Sequence, residues 1–129
     1  MRLMIKKETK FTPYIELDPE RGVVEIRGKS YPENSFEFYK PIMEWIENYF
    51  QSPQKLTKLN IELVYFNSSS SKFLFDLFEF LENRTGSESE IVINWIYDKE
   101  NDMIEEAGQE FQAEFPKLDI RLIIKVDGA

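Results

Sequence analysis

The segment that runs from Leu56 into the serines after Asn67 constrains the fold more than any other. Apolar and polar side chains alternate over residues 56–66, which is typical of a β-strand with one face in the core. Four serines follow Asn67, and from Phe73 onward the apolar residues recur at helical spacing. A strand that passes directly into a helix predicts a strand–helix–strand unit, whose two strands pair in parallel.

The remainder of the chain repeats this alternation of strand and helix patterns. We predict strands over residues 11–17, 23–28, 56–66, 90–97 and 118–126, and helices over residues 33–51, 69–84 and 101–114. The Pro and Gly of residues 18–22 predict a hairpin turn between the first two strands. Because the strands alternate instead of being apolar throughout, the helices should cover one face of the sheet. We therefore predict one α/β domain over residues 1–129, with the order ββαβαβαβ and a mostly parallel, mixed five-stranded sheet.

Helical spacing also predicts which side chains enter the core. Pro41 lies inside the first helix, where it should kink the helix or mark the start of its main segment. On the first and third helices the apolar faces are expected to hold Phe36, Tyr39, Ile42, Met43, Trp45, Ile46, Tyr49 and Phe50, and Met103, Ile104, Ala107, Gly108 and Phe111, respectively.

Composition excludes several classes of function. The chain has no cysteine and no histidine, so disulfides, thiolate zinc sites and Ser-His-Asp or Cys-His catalysis are impossible. Its 24 acidic and 16 basic residues give a net charge of -8, which makes nucleic acid and anionic membranes poor partners. No signal-peptide core and no apolar run of ~20 residues is present, so we expect a cytoplasmic protein.

An acidic stretch that begins at Asp98 resembles the opening of a calcium-binding loop. The position that requires glycine holds Met103, however, and the closing position holds Gln109 instead of glutamate. Acidic residues also stabilise the start of a helix, and Asp98 is expected to cap the third one. We therefore predict no metal site and no cofactor.

Several short motifs, taken in order along the chain, resemble one known family. They are Thr9-Lys10-Phe11-Thr12-Pro13, Gly28-Lys29-Ser30-Tyr31-Pro32-Glu33-Asn34 with Phe38-Tyr39 and Trp45, Tyr65-Phe66-Asn67-Ser68-Ser69-Ser70, and Trp95-Ile96-Tyr97-Asp98 with Met103, Glu106-Ala107-Gly108 and Phe111. From about Thr9 to Val126 the chain resembles the SiaC family of bacterial regulatory phosphoproteins. The resemblance implies a fold similar to the STAS-like domain of anti-sigma-factor antagonists, in agreement with the predicted topology.

The resemblance implies a non-catalytic protein that switches partners in cyclic di-GMP signalling. A cognate Ser/Thr kinase would phosphorylate it, and a PP2C-like phosphatase would reverse the modification. The implied target is a diguanylate cyclase, activated by the unphosphorylated form. The family's phosphoacceptor is the threonine after the asparagine of its Tyr-Phe-Asn-Thr-Ser-Ser motif. That position is Ser68 in this chain, and Ser69 is the reserve candidate.

The serine junction also has a purely structural interpretation. Serine is a favoured N-cap, so Ser68 could simply accept a backbone hydrogen bond at the start of the helix. The two roles are compatible, because a helix N-terminus stabilises anions. We expect Asn67, Ser69, Ser70 and Lys72 to support a phosphate on Ser68.

Two apolar surfaces are predicted partner contacts. One is Phe75, which falls on the polar side of its helix. The other lies on the open face of the sheet, near the carboxyl ends of its strands, and consists of Val64, Phe66, Ile96 and Ile123. Alternative functions are a small-molecule or nucleotide-binding domain and a small carboxylate-based enzyme. Isolated glycines, with no phosphate-binding loop, and the lack of paired carboxylates around a predicted cleft favour the regulatory interpretation.

Overall fold

The structure is a computed structural model that describes residues 1–86 and 88–125. Its elements are β1 (Met4–Lys6), β2 (Tyr14–Asp18), β3 (Val23–Ser30), α1 (Ser35–Tyr49), β4 (Leu56–Phe66), α2 (Ser68–Glu82), β5 (Glu90–Tyr97), α3 (Asp102–Glu114) and β6 (Asp119–Ile124). Ser87, in a predicted loop, and Val126, at the end of the last predicted strand, lie outside the described residues.

The strands form one sheet in sequential order from β1 to β6. The β1–β2 and β2–β3 pairs are antiparallel, and the pairs from β3 to β6 are parallel. This order confirms the mixed, mostly parallel α/β sheet expected from the sequence. The predicted number of five strands is wrong, because β1 forms a sixth. With only three residues, β1 is too short to give an alternating pattern.

The core lies on one face of the sheet, beneath the three helices. Leu59, Ile61 and Leu63 of β4 are buried on that face, while Asn60 and Glu62, which alternate with them, are half-buried on the other face. Leu77 and Phe78 of α2 are fully buried in the same core cluster. The opposite face of the sheet carries polar and charged side chains, so the predicted one-sided covering by helices is confirmed.

A β-bulge near the end of β4 reverses the predicted orientation of two aromatic residues. Gly28 of β3 pairs with Leu63, but the next residue pairs with Tyr65, which leaves Val64 as the extra residue. Gly28 has φ 114°, a conformation that a side chain strongly disfavours. Beyond the bulge, Tyr65 is exposed, and the Phe66 ring turns to the core side and packs edge-on against Trp95. The prediction that Phe66 faces the open side of the sheet is therefore wrong.

Three other apolar side chains differ from their predicted positions. Phe36 and Met103, both expected in the core, are 74% and 70% exposed. Each lies at the edge of its helix's apolar stripe, where one step of 100° decides between core and solvent. Phe75, expected to be exposed, is half-buried, because its ring packs against Phe115 at a centroid distance of 5.0 Å.

Asparagine caps all three described helices. The side chains of Asn34, Asn67 and Asn101 each accept a hydrogen bond from the backbone N–H three residues on. The expected capping of α3 by Asp98 is therefore wrong, and Asp98 instead accepts a bond from the Glu100 N–H. Helix α1 continues through Pro41 from Ser35 to Tyr49.

Candidate functional site

The junction between β4 and α2 consists of a single connecting residue. Strand β4 ends at Phe66 and α2 begins at Ser68, so only Asn67 lies between them. The Asn67 N–H donates to the Ser30 carbonyl at 3.0 Å, and its side-chain oxygen accepts from the Ser70 N–H at 2.9 Å. Asn67 is thus the N-cap, and the Ser68 hydroxyl does not have the capping role considered above.

The Ser70 hydroxyl is part of the core. Ser70 is 1% exposed, and its Oγ lies 2.7 Å from Ser30 Oγ and donates to the Ser30 carbonyl at 3.0 Å. Ser30 Oγ is also hydrogen-bonded to the Tyr39 hydroxyl. The Ser70 hydroxyl is therefore buried and already bonded within this cluster, so the expected support of a phosphate by this hydroxyl is wrong.

The buried hydroxyl cluster of Ser30, Tyr39 and Ser70 joins three elements. It ties the end of β3 to α1 and to the first turn of α2. Burial raises the pKa of Tyr39 to about 12, although its hydrogen bonds with Ser30 and Ser70 oppose the shift. The Tyr39 ring also stacks on Phe73 of α2 at a centroid distance of 3.9 Å. The first turn of α2 is therefore held in place by buried hydrogen bonds and by ring stacking on its core side.

Ser69 links the N-termini of two helices. Its Oγ lies 2.8 Å from Ser35 Oγ, at the first position of α1, and donates to the Asn67 side chain at 3.2 Å. Ser69 is exposed, so its hydroxyl is accessible but already has two partners.

Ser68 has a different environment from the other serines of the run. It is exposed at the first helical position, and its hydroxyl makes no hydrogen bond within residues 1–86 and 88–125. Ser71 is half-buried on the same helix. Of the four serines, Ser68 alone is both exposed and without a hydroxyl partner in the described structure.

The surroundings of Ser68 favour an anion. The partial positive charge of α2 lies at this end, and no acidic residue occupies its first turn. Lys72 lies one helical turn on, with its Nζ 3.0 Å from Asp76 Oδ2. Both side chains of this pair are largely exposed, so the pair is weak and Lys72 can exchange partners.

A groove between α1 and α2 opens beside the serine junction and was not predicted from the sequence. Its volume is about 390 Å³, and its lining is mostly apolar, with Tyr39 and Phe73 inside and Phe36 and Met43 along one side. The position of Phe36 at the edge of the apolar stripe of its helix was the available signal.

The predicted partner residues do not form one surface. Ile96 is half-buried on the open face of the sheet, as predicted, together with the exposed Val64 and Ile123. Phe66 and Phe75 both pack against the core from the helix side. The role of these residues in binding a partner stays a prediction. Because Phe66 and Phe75 are half-buried, they offer less surface to a partner than the sequence suggested.

Other kinds of site find little support in the part of the chain that the structure describes. Within residues 1–86 and 88–125, no group of three acidic side chains is placed to hold a metal ion. No helix in the same ranges is long and apolar enough to cross a membrane. The one-residue connection between β4 and α2 leaves no loop that could surround a nucleotide phosphate.

Comparison with known proteins identifies the family. A family model described as SiaC family regulatory phosphoprotein matches residues 6–125. The chain belongs to the SiaC family. The match covers nearly all of the described residues, and it confirms the resemblance that the short motifs indicate.

Relatives of this SiaC-family chain come from Pseudomonas aeruginosa. An uncharacterised protein of strain UCBPP-PA14 is 33% identical over 104 residues, which are 81% of this chain and 82% of the relative. The crystal structure of apo-SiaC superposes with a TM-score of 0.87 at 29% identity, covering 95% of this chain and 99% of that one. A chain in the crystal structure of the diguanylate cyclase SiaD in complex with its activator SiaC also gives a TM-score of 0.87, at 28% identity with the same coverage. These matches confirm the fold as that of SiaC.

Proposed function

We propose that this regulatory phosphoprotein is switched by phosphorylation of Ser68 and that its unphosphorylated form binds and activates a diguanylate cyclase. Ser68 carries the proposal, because its hydroxyl is exposed and makes no hydrogen bond to any residue in the ranges 1–86 and 88–125. The related SiaC of P. aeruginosa has been crystallised as the activator in a complex with the cyclase SiaD, which supports the choice of target. A cognate Ser/Thr kinase and a PP2C-like phosphatase complete the proposed switch.

The chemistry of the switch belongs to the partner enzymes. In the kinase, the Ser68 Oγ attacks the γ-phosphorus of a nucleoside triphosphate as the bond to the nucleoside diphosphate breaks, and a kinase carboxylate takes the hydroxyl proton. The phosphatase returns the serine by hydrolysis. Because the kinase and the phosphatase supply the chemistry, this chain needs only to present the hydroxyl. It has no histidine or cysteine to act as a catalytic base or nucleophile, and we propose that it is not an enzyme.

The helix N-terminus supports the phosphorylated state. A phosphate on Ser68 adds about -1.5 to -2 charges at the positive end of α2. The exposed Lys72 can leave Asp76 and pair with the phosphate instead. The added charge is thus accommodated by the fold and presented to partners on the surface, while the core beneath is unchanged.

Phosphosite mapping tests the choice of serine. The wild-type chain and the Ser68→Ala and Ser71→Ala variants are incubated with the cognate Ser/Thr kinase and with ATP, and the modified residue is identified by mass spectrometry. We expect Ser71→Ala to be phosphorylated like the wild type and Ser68→Ala to remain unmodified. Phosphate found only on Ser69 would reject Ser68 as the acceptor.

Binding to the cyclase tests the direction of the switch. We expect unphosphorylated wild-type chain and Ser68→Ala to bind the cyclase and to raise its production of cyclic di-GMP. Phosphorylated chain should bind at least about tenfold more weakly, as expected when a charge is introduced at an interface. Equal binding of both phosphorylation states would contradict the proposed switch.

A further inference from the structure

A cleft lies on the face of the sheet that the helices leave open. Its volume is about 690 Å³, within the range of roughly 300–1,000 Å³ that is typical of small-molecule sites. One wall is the connection between β1 and β2, residues 7–13, and the floor is formed by β3 and β4 next to the β-bulge at Val64. The proposed phospho-switch makes no use of this cleft.

The wall formed by residues 7–13 is held by several contacts. Thr9 Oγ1 accepts hydrogen bonds from the N–H groups of Phe11 and Thr12 at 3.2 and 3.0 Å. The Phe11 carbonyl accepts from the Tyr31 N–H at 2.9 Å, and the two rings pack edge-on at a centroid distance of 5.3 Å. These residues belong to the first two motifs of the family resemblance. The wall therefore keeps its shape without a ligand, as is usual for a preformed binding site.

The cleft is positively charged, although the whole chain carries a net charge of -8. Its charged lining residues are Lys10, Arg27, Lys29 and Lys125 and, of opposite sign, Glu8 and Glu62. The basic side chains come from the β1–β2 connection, from β3 and from the residue after β6. Basic groups that gather in a cleft attract anions and raise their local concentration.

Two of the four basic side chains have no acidic partner. Arg27 and Lys125 each pair with a glutamate, at N–O distances of 3.1 and 2.7 Å. Lys10 and Lys29 form no ion pair with any residue in the ranges 1–86 and 88–125. A phosphate monoester carries a charge of about -1.5 to -2 at pH 7, which matches these two lysines.

A carboxylate of the chain itself lies in the cleft, above Gly28. A Cβ at Gly28 would collide with this Glu8 carboxylate, so the glycine leaves room for an acidic group at this point. In the part of the chain that the structure describes, Glu8 forms no ion pair, although basic side chains line the same cleft. Its negative charge therefore opposes the binding of a second anion beside it.

The uncharged part of the lining is suited to an organic ring. Tyr14 and Tyr31 are half-buried, and Val64 is exposed beside them. The Arg27 guanidinium lies over the Tyr14 ring, with Cζ 4.3 Å from the ring centre, and it is a group that binds phosphate oxygens in pairs. Aromatic and apolar side chains with a few charged groups are the usual lining of a site for a ring-bearing ligand.

We propose that this cleft binds a small phosphate monoester whose organic part carries a ring, such as a nucleoside monophosphate. Lys10 and Lys29 pair with the phosphate, and the ring lies against Tyr31 and Val64. Side chains hold the phosphate, so no glycine-rich loop is required. Ser68 does not line the cleft, and the proposal does not depend on the phospho-switch.

Titration calorimetry of the full chain with guanosine 5′-monophosphate (GMP) at low ionic strength tests the ligand class. Inorganic phosphate and guanosine represent the two halves of this probe, and succinate is a dianion without phosphorus. We expect GMP to bind at least about tenfold more tightly than each of the other three. No saturable binding of GMP up to about 10 mM, or an equal affinity for any of the other three, would overturn the proposal.

Three exposed charged residues test the assigned roles. Lys29→Gln should weaken GMP binding about tenfold, because it removes an unpaired positive charge, and Glu8→Gln should strengthen it about threefold. Lys117→Gln, the same exchange at an exposed position before β6, should stay within about twofold of wild type. Wild-type affinity in Lys29→Gln, or weaker binding in Glu8→Gln, would contradict the site.

Amide chemical shifts in NMR spectra locate the bound GMP. We expect the largest changes at Thr9, Lys29 and Val64, and the same changes in the Ser68→Ala variant. Shifts confined to the first turn of α2 would place GMP at that helix N-terminus and overturn the cleft as its site. Loss of phosphorylation at Ser68 with GMP binding intact would reject the phospho-switch and leave this site in place.

Discussion

The Ser70 hydroxyl stabilises the junction between β4 and α2 from within the core, although Ser70 lies only two residues after the exposed Ser68. Its position could have been predicted, because Ser70 precedes Phe73, Leu74 and Leu77 at the spacing of the buried stripe. The separate role of Ser68 could not be obtained from spacing alone, since neighbouring serines have the same chemistry. It followed from the family motif, which specifies one position within the run.

Removing the Ser70 hydroxyl should destabilise the protein. Ser70→Ala deletes two hydrogen bonds to Ser30 and leaves the Ser30 hydroxyl with Tyr39 as its remaining partner. We expect a loss of about 1–2 kcal/mol in the free energy of unfolding, measured by urea denaturation. Ser71→Ala, in the same helical turn but without a described side-chain hydrogen bond, should change stability by less than about 0.5 kcal/mol. Equal effects of the two variants would contradict the structural role of Ser70.

Tyr39 should make stability depend on pH at high pH. Burial raises its pKa from 10.0 to about 12, so between these values the unfolded chain releases a proton that the folded chain keeps. Ionisation of Tyr39 does not affect the free energy of unfolding below about pH 10. As the pH rises from 10 to 12, this free energy falls by roughly 2–3 kcal/mol.

The measurement compares urea denaturation of wild type and Tyr39→Phe from pH 8 to pH 12. The difference in free energy of unfolding between the two proteins should be constant up to about pH 10 and then change in favour of Tyr39→Phe. A constant difference over the whole range would show that the hydroxyl ionises equally in both states.

At the scale of elements, the major helices and parallel strands follow from periodicity, whereas the β-bulge does not. The boundaries of β4 and β5 agree with the predicted ranges. The bulge adds Val64 as an extra residue, so Tyr65 and Phe66 each point to the face opposite to the one that uninterrupted alternation predicts. The isolated Gly28 within a strand pattern was the available signal.

Helix α3 lies close to the sheet at Gly108, so a methyl group there should be destabilising. A Cβ at this position would lie 2.5 Å from Leu122 Cδ2 and 2.6 Å from Trp95 Cδ1. Trp95 is fully buried and cannot move aside easily. We expect Gly108→Ala to lower the free energy of unfolding by about 1–2 kcal/mol, because overpacking exceeds the gain in helix propensity.

Thermal denaturation of Gly108→Ala and of the exposed neighbour variant Gln109→Ala measures this effect. Gln109→Ala should melt close to the wild type, since it changes no described contact in the core. A Gly108→Ala protein as stable as the wild type would mean that α3 can shift away from the sheet at little cost.

For the molecule as a whole, sequential strand order places the most protected backbone in the middle of the chain. Strand β4 is paired on both sides, with β3 and β5, beneath the helices, whereas β1 is a three-residue edge strand. This arrangement could be predicted from the strand–helix units, except for β1. Residues 1–129 as a single regulatory domain remain our proposal.

Hydrogen exchange should therefore follow strand position. We expect amides of Leu59 and Ile61 in β4 to exchange only through global unfolding and those of β1 to exchange through local opening, several orders of magnitude faster. Exchange monitored by NMR gives both rates in one sample. Equal protection of β1 and β4 would indicate that the sheet opens as one cooperative unit.

The placement of β1 at one edge of the sheet and β6 at the other also has a mechanical consequence. The ladder that holds β1 contains three residue pairs, and its hydrogen bonds run across the strand direction. A force that pulls this strand sideways away from β2 loads these bonds one after another instead of shearing them together. Traction on the amino-terminal end should therefore peel the sheet from its weakest edge, so the protein should yield at low force however stable its core is in solution.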